Sequence, residues 1–190
     1  VSRRVVLIIN PASANGATGR EWPELVAEAQ RLGVRCEERL TQAPGHATEL
    51  AREAAMAGAD VVVAVGGDGT VHEVVNGLVG PGGTPFGTAA LGVIARGTGR
   101  DFIRSHAIPT KARDAIRAIA EGPIRTVDLG EVLSTADPEG SRRFANAASC
   151  GVTGAIAKRA NGMSKRFGGT PTFLVAAFQG FRGYDNTPVH

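Results

Sequence analysis

The residues best suited to chemistry lie in one short run, Gly66-Gly67-Asp68-Gly69-Thr70. Adjacent glycines let a backbone approach a bulky anion closely and turn its N–H groups outward. A helix starting behind them would point the positive end of its dipole at the same anion. An acidic side chain in such a loop repels phosphate unless it holds Mg²⁺, directly or through water, or orients a hydroxyl. The run therefore reads as a phosphate site. Thr70 and Glu73 also fit the capping box that opens many helices. A cap, however, needs neither the three glycines nor Asp68.

Other phosphate and catalytic signatures are missing from the sequence. No Gly-Lys pair occurs, which excludes a Walker A loop, and there is no G-x-G-x-x-G, G-x-S-x-G, H-E-x-x-H or C-x-x-C. His72-Glu73 continues as Val74-Val75-Asn76, so no zinc helix forms.

The elements that must position this run follow from the apolar pattern. The chain has 190 residues, 43% hydrophobic and 21% charged, an ordinary balance for a folded protein that excludes a disordered or fibrous chain. Val5–Ile9, Val34–Leu40, Asp60–Val65 and Ala90–Ala95 read as strands, the second weaker, as at a sheet edge. Helical spacing falls at 21–32, 45–57, 70–79 and 111–121, with Gly33, Gly58, Gly80 and Gly122 as stops. Alternating strands and helices predict a parallel sheet covered on both faces, with ligands beyond the carboxyl ends of its strands. The loops after Ile9, Val65 and Ala95 would then meet at one edge. Near residue 125 the pattern changes. Arg125–Leu133 and Arg142–Ser149 read as a hairpin, followed by helices at 152–160 and 171–182, the latter without an obvious partner.

With these elements in place, the chain resembles the diacylglycerol kinase catalytic domain family, bacterial lipid kinases related to diacylglycerol and sphingosine kinases. The resemblance is carried by Gly66–Thr70 with Val71-His72-Glu73-Val74-Val75-Asn76-Gly77, Asn10-Pro11 with Ser13 and Gly16, and Thr41 before Gly45-His46-Ala47. Leu91–Ile94 through Gly97-Thr98 and Asp101-Phe102 extend it, as do Val127–Gly130, Phe144–Asn146 and Ser149–Gly151. It implies an NAD kinase-like three-layer α/β domain at 1–125 and the opening of a β-rich lipid-binding and catalytic domain at 126–190. It also implies Mg²⁺-dependent transfer of the γ-phosphoryl of ATP to a lipid hydroxyl. Asn10, Pro11, Ala12, Ser13, Ala14, Thr41, Gly66, Gly67, Asp68, Gly69, Thr70, Glu73 and Thr98 would line the nucleotide, with Asp68 catalytic; the metal ligands stay unassigned. Asp101 is either a further functional carboxylate or the N-cap of a short helix. The chain departs from the family at Ala95, where proline is usual, and at Arg100, where asparagine is usual.

Two other functions fit part of this pattern: an NAD kinase-like enzyme, and a nucleotide-binding domain without catalysis. The family's general base lies in its β-rich domain, and nothing here matches it, so these 190 residues read as a piece of a longer protein, inactive alone. Residues 150–190 carry net charge +4 and five of the nine aromatics, which suits an anionic lipid surface. The expected setting is cytoplasmic and peripheral to a membrane. Cys36 and Cys150 would be reduced thiols, and Val5–Ile9 is too short for the apolar core of a secretory signal. The overall charge of +3 is too small to suggest nucleic acid, and a homodimer is left open.

Overall fold

The computed structural model describes residues 3–96, 101–133, 140–149, 151–162 and 169–182. Val5–Ile9 (β1) and Val61–Gly66 (β3) are buried along their whole length, as near-continuous aliphatic strands inside a covered parallel sheet must be. Cys36–Leu40 (β2) carries Glu37, Glu38 and Arg39 and sits at an edge, while Ala90–Ala95 (β4) forms the other side. The order is β2-β1-β3-β4, all parallel. Ile9 lies opposite both Leu40 and Val65, and Gly66 lies opposite Ala95. All four carboxyl ends therefore share one edge.

Successive strand residues feed two cores, because side chains alternate across a sheet. Val6, Ile8, Val62, Ala64 and Val93 pack with His46–Met56 (α2), Asp68–Leu78 (α3), and Phe102 and Ile103 of Asp101–Ser105 (α4). Val5, Leu7, Ile9, Val61, Val63 and Val65 pack with Ala17–Arg31 (α1) and Ala112–Glu121 (α5). The result is a three-layer α/β arrangement. Helices α2 and α3 approach closely: a Cβ on Gly77 would lie 2.3 Å from the Thr48 carbonyl oxygen and 2.7 Å from the Ala51 Cβ.

Several elements differ from the sequence pattern. Helix α3 starts at Asp68 with Gly67 as its N-cap, two residues before the predicted start, so Thr70 lies inside the first turn and no capping box forms. Helix α1 starts at Ala17, behind a 3₁₀ turn at Ser13–Gly16 in which Ala14 and Asn15 have φ of 53° and 55°. Of the long hairpin, only Gly130–Val132 (β5) and Arg142–Phe144 (β6) pair, antiparallel; residues 123–129 form no strand.

The chain divides into two compact units after Asn146. The β5–β6 pair belongs to the first because its apolar neighbours, Leu129 and Ala145, pack against the core under α3 and α4. In the second unit, Val152–Gly162 (α6) packs with Gly169–Arg182 (α7). The 171–182 helix thus has a partner after all: Ile156 and Ala176 are buried, and a Cβ on Gly180 would meet the Ile156 Cγ1 at 2.6 Å. Leu174, Val175, Phe178 and Phe181 remain exposed on α7.

Candidate functional site

The sheet order puts a switch between β1 and β3, where consecutive connections leave in opposite directions; crevices for ligands form at such points. Asn10 leaves β1 there and Gly67 leaves β3. The Asn10 N–H donates to the Val65 carbonyl at 3.0 Å. Its side chain then bridges the two loops. Nδ2 donates to Thr70 Oγ1 at 3.1 Å, and Oδ1 accepts the Ala12 N–H at 3.1 Å. Ser13 Oγ donates to the Asn10 carbonyl at 2.9 Å and lies 2.6 Å from Oγ1 of the fully buried Thr18. The 10–14 turn is thereby pinned beside the 66–70 loop.

Gly66 is fixed by close approach. A Cβ there would lie 2.3 Å from Thr70 Oγ1 and 2.7 Å from Thr70 Cβ. Its carbonyl accepts the Arg96 N–H at 2.7 Å, which carries the β3–β4 pairing one step past the sheet. Gly67 adopts extended backbone, and its carbonyl accepts the Val71 N–H at 3.1 Å. The first amides of α3 thus face the crevice edge, as anion recognition at a helix N-terminus requires.

Asp68 does something the sequence did not suggest. Its carboxylate lies close to the backbone N–H groups of Asp101 and Phe102 at the start of α4. Burial, and then the neighbouring Asp101 carboxylate, hold its pKa above the ordinary carboxylate value, against the opposing pull of those backbone N–H groups. Asp101 is the first residue of α4 and exposed. Glu73 is turned away: its carboxylate accepts the Ala47 N–H at 3.2 Å at the start of α2, and its carbonyl accepts the Thr48 hydroxyl at 2.9 Å. Thr41 stands at the carboxyl end of β2, its N–H on the Ile9 carbonyl at 2.9 Å. The structure thus gathers Asn10, Gly66, Gly67, Asp68 and Thr70, keeps Pro11 to Ala14 and Gly69 at the margin, and lines up Thr41 along the same edge. Thr98 and Arg100 lie outside the described residues.

Three contacts were not predicted from the sequence. Arg96 Nη1 meets the Glu21 carboxylate at 2.7 Å, tying the end of β4 to α1, and the two residues are far apart in sequence. Ser105 Oγ reaches Asn146 Oδ1 at 3.3 Å. Asn76, the polar residue among Val74, Val75, Gly77 and Leu78, bonds the backbone of Arg143. A lone buried amide on an apolar helix face is a signal that could have been followed.

Among the described residues, no group of three or more His, Cys, Asp or Glu side chains could hold a metal by itself. Mg²⁺ in phosphoryl-transfer sites commonly takes one or two protein carboxylates, with phosphates and water completing its shell. The Asp68 and Asp101 pair, whose mutual repulsion a cation would relieve, fits that donor set.

Fold and site together define a parallel α/β domain that gathers a glycine-rich loop and a helix N-terminus at one sheet edge. Residues 4–132 match the family described as the diacylglycerol kinase catalytic domain, and the chain belongs to that family. It is 30% identical over 177 residues to a diacylglycerol kinase of Staphylococcus saprophyticus, covering 93% of this chain and 54% of that protein. With a diacylglycerol kinase of Bacillus subtilis the identity is 35% over 133 residues, 68% of this chain and 42% of that one. A crystal structure of a diacylglycerol kinase from Bacillus anthracis str. Sterne superposes with a TM-score of 0.56 at 29% identity, covering 67% of this chain and 43% of the other. The fold is the NAD kinase-like one these kinases share. The chain spans about half the length of the curated relatives it matches.

Proposed function

We propose that the protein is the nucleotide-binding part of a lipid kinase that transfers the γ-phosphoryl of ATP to a lipid hydroxyl. The observation that carries this is the Asp68 carboxylate, set at the N-terminus of α3 behind the Gly66-Gly67 backbone and close to the start of α4. The N-terminus of α3, with the amides of Gly67 and Gly69, would receive the phosphates. Asp68 and Asp101 would hold Mg²⁺, which when bound offsets charge on the β- and γ-phosphates. Asn10, Thr70 and the 11–14 turn set the width of the cradle, and the β5–β6 pair is read as the opening of the acceptor-side domain. The family name borne by the relatives favours diacylglycerol as acceptor over a soluble dinucleotide. The apolar residues exposed on α7 support contact with a membrane surface, and no helix among the described residues is long and apolar enough to cross one.

The test offers diacylglycerol in mixed micelles and NAD side by side to the full-length gene product with Mg-ATP. Phosphate is expected on the lipid, and Asp68→Asn is expected to abolish it. Phosphorylation of NAD alone, or an unimpaired Asp68→Asn variant, would refute the assignment.

A further inference from the structure

The β5–β6 pair is fastened to α3 by a side chain acting as a strand edge. Asn76 is 5% exposed. Its Nδ2 donates to the Arg143 carbonyl at 2.9 Å, and its Oδ1 accepts the Arg143 N–H at 2.9 Å. These are the two bonds a neighbouring antiparallel residue would supply. Nδ2 also donates to the His72 carbonyl at 2.8 Å, which fixes the amide on its own helix. The bonds go to the backbone of residue 143, so they specify where the chain runs. Burying an amide is costly unless its polar atoms are satisfied, and here both are.

Two further ties hold the same pair. Ser105 Oγ donates to Asn146 Oδ1 at 3.3 Å, joining the chain after β6 to α4, and the Glu131 carboxylate accepts the Gly82 N–H at 3.3 Å. A closed circuit results. It runs from Asp68 at the start of α3 to the start of α4, along α4 to Ser105, across to Asn146 and β6, and back through Arg143 to Asn76, two turns down α3. The β5–β6 pair is thereby tied to both α3 and α4.

We infer that Asn76 is a positioning residue for the kinase reaction: it couples occupancy of the phosphate loop to the placement of the β5–β6 pair. The inference rests on the reading of Gly66–Thr70 as the nucleotide loop. It assigns Asn76 no contact with substrate.

The experiment measures Mg-ATP affinity by calorimetry and amide exchange in wild type, Asn76→Ala and Asn76→Asp, using the full-length gene product. Two hydrogen bonds of ordinary net strength correspond to about tenfold or more in local opening. In Asn76→Ala the amides of residues 142–145 are therefore expected to exchange on the order of tenfold faster. In wild type these amides should slow when Mg-ATP binds. In Asn76→Ala that response should vanish while affinity stays within about threefold, since the loop contacts are intact. Asn76→Asp keeps the acceptor for the Arg143 N–H and should retain part of the response; it also serves if the alanine variant does not fold. A residue that merely stabilised the fold would leave the Mg-ATP response at 142–145 in place in the alanine variant, and that result overturns the inference. So does a wild type that binds Mg-ATP with no change at 142–145. A wild type that does not bind Mg-ATP overturns the nucleotide reading, and this inference with it.

Discussion

Replacing Gly66 with alanine tests the core of the site. The new Cβ would fall 2.3, 2.7 and 3.1 Å from Oγ1, Cβ and Cγ2 of Thr70. Thr70 cannot swing away freely, because it is 4% exposed and Oγ1 accepts a hydrogen bond from Asn10. Overpacking at a rigid position costs about 1–3 kcal/mol, and losing the Asn10 bond adds about 0.5–1.5 kcal/mol. Gly66→Ala should therefore destabilise by roughly 2–4 kcal/mol, read as a lower urea midpoint at unchanged m-value. Thr70→Ala alone removes the hydroxyl and methyl, costing about 1 kcal/mol through the Asn10 bond. In the double variant two of the three clashes are gone and the 2.7 Å contact with Cβ remains. The combination should thus be less damaging than the sum of the singles, with a coupling of at least about 1 kcal/mol. Strict additivity would refute the claim that Gly66 is required by Thr70. A gain in stability from Gly66→Ala would refute it outright.

Three other outcomes are expected. The raised pKa of Asp68 means the folded state binds its proton more tightly than the unfolded chain does. Its stabilising share is thus full below the ordinary carboxylate value near pH ~3.9 and is lost as pH rises through the folded value. Asp68→Asn should flatten that slope and be at least as stable as wild type at neutral pH; urea titrations across pH 3–8 check this. Gly77→Ala would push a methyl into the Thr48 carbonyl oxygen at 2.3 Å, and backbone cannot yield as a side chain can. A loss of about 2–3 kcal/mol is expected on thermal unfolding, with little relief from Ala51→Gly. Glu21→Gln breaks a half-exposed ion pair with Arg96 and should cost no more than about 1 kcal/mol, an effect that shrinks in high salt.

What the sequence revealed tracks how local the deciding interactions are. β1, β3 and β4 were legible within a residue, because buried parallel strands write themselves as runs of Val, Ile and Leu. The convergence of Asn10, Gly66 and Asp68 followed from topology alone. The start of α3 was misread because Thr70 and Glu73 fit a local rule, whereas the Glu73 carboxylate is drawn to α2 by Ala47. The role of Asp68 toward α4 was hidden for a similar reason: its partners, the amides of residues 101 and 102, come from another loop. Strand character at 125–129 did not form because β-propensity needs a paired neighbour to take effect, and those residues have none. Asn76 and Arg143 are joined across 67 positions, with no periodicity to announce it.

The central place of β1 bears on how the chain is made. Val5–Ile9 is flanked by β2 on one side and β3 on the other, yet it is synthesised first. Both its neighbours arrive later, and β3 only at residues 61–66. At about 5–20 residues per second, the strand Val5-Val6-Leu7-Ile8-Ile9 waits on the order of several seconds beside the ribosome with at least one edge unpaired. Uncharged, β-branched segments of this kind are prone to stack with copies of themselves. Residues that hasten the docking of β3 should therefore govern how much soluble protein a cell accumulates, apart from any effect on the stability of the finished fold.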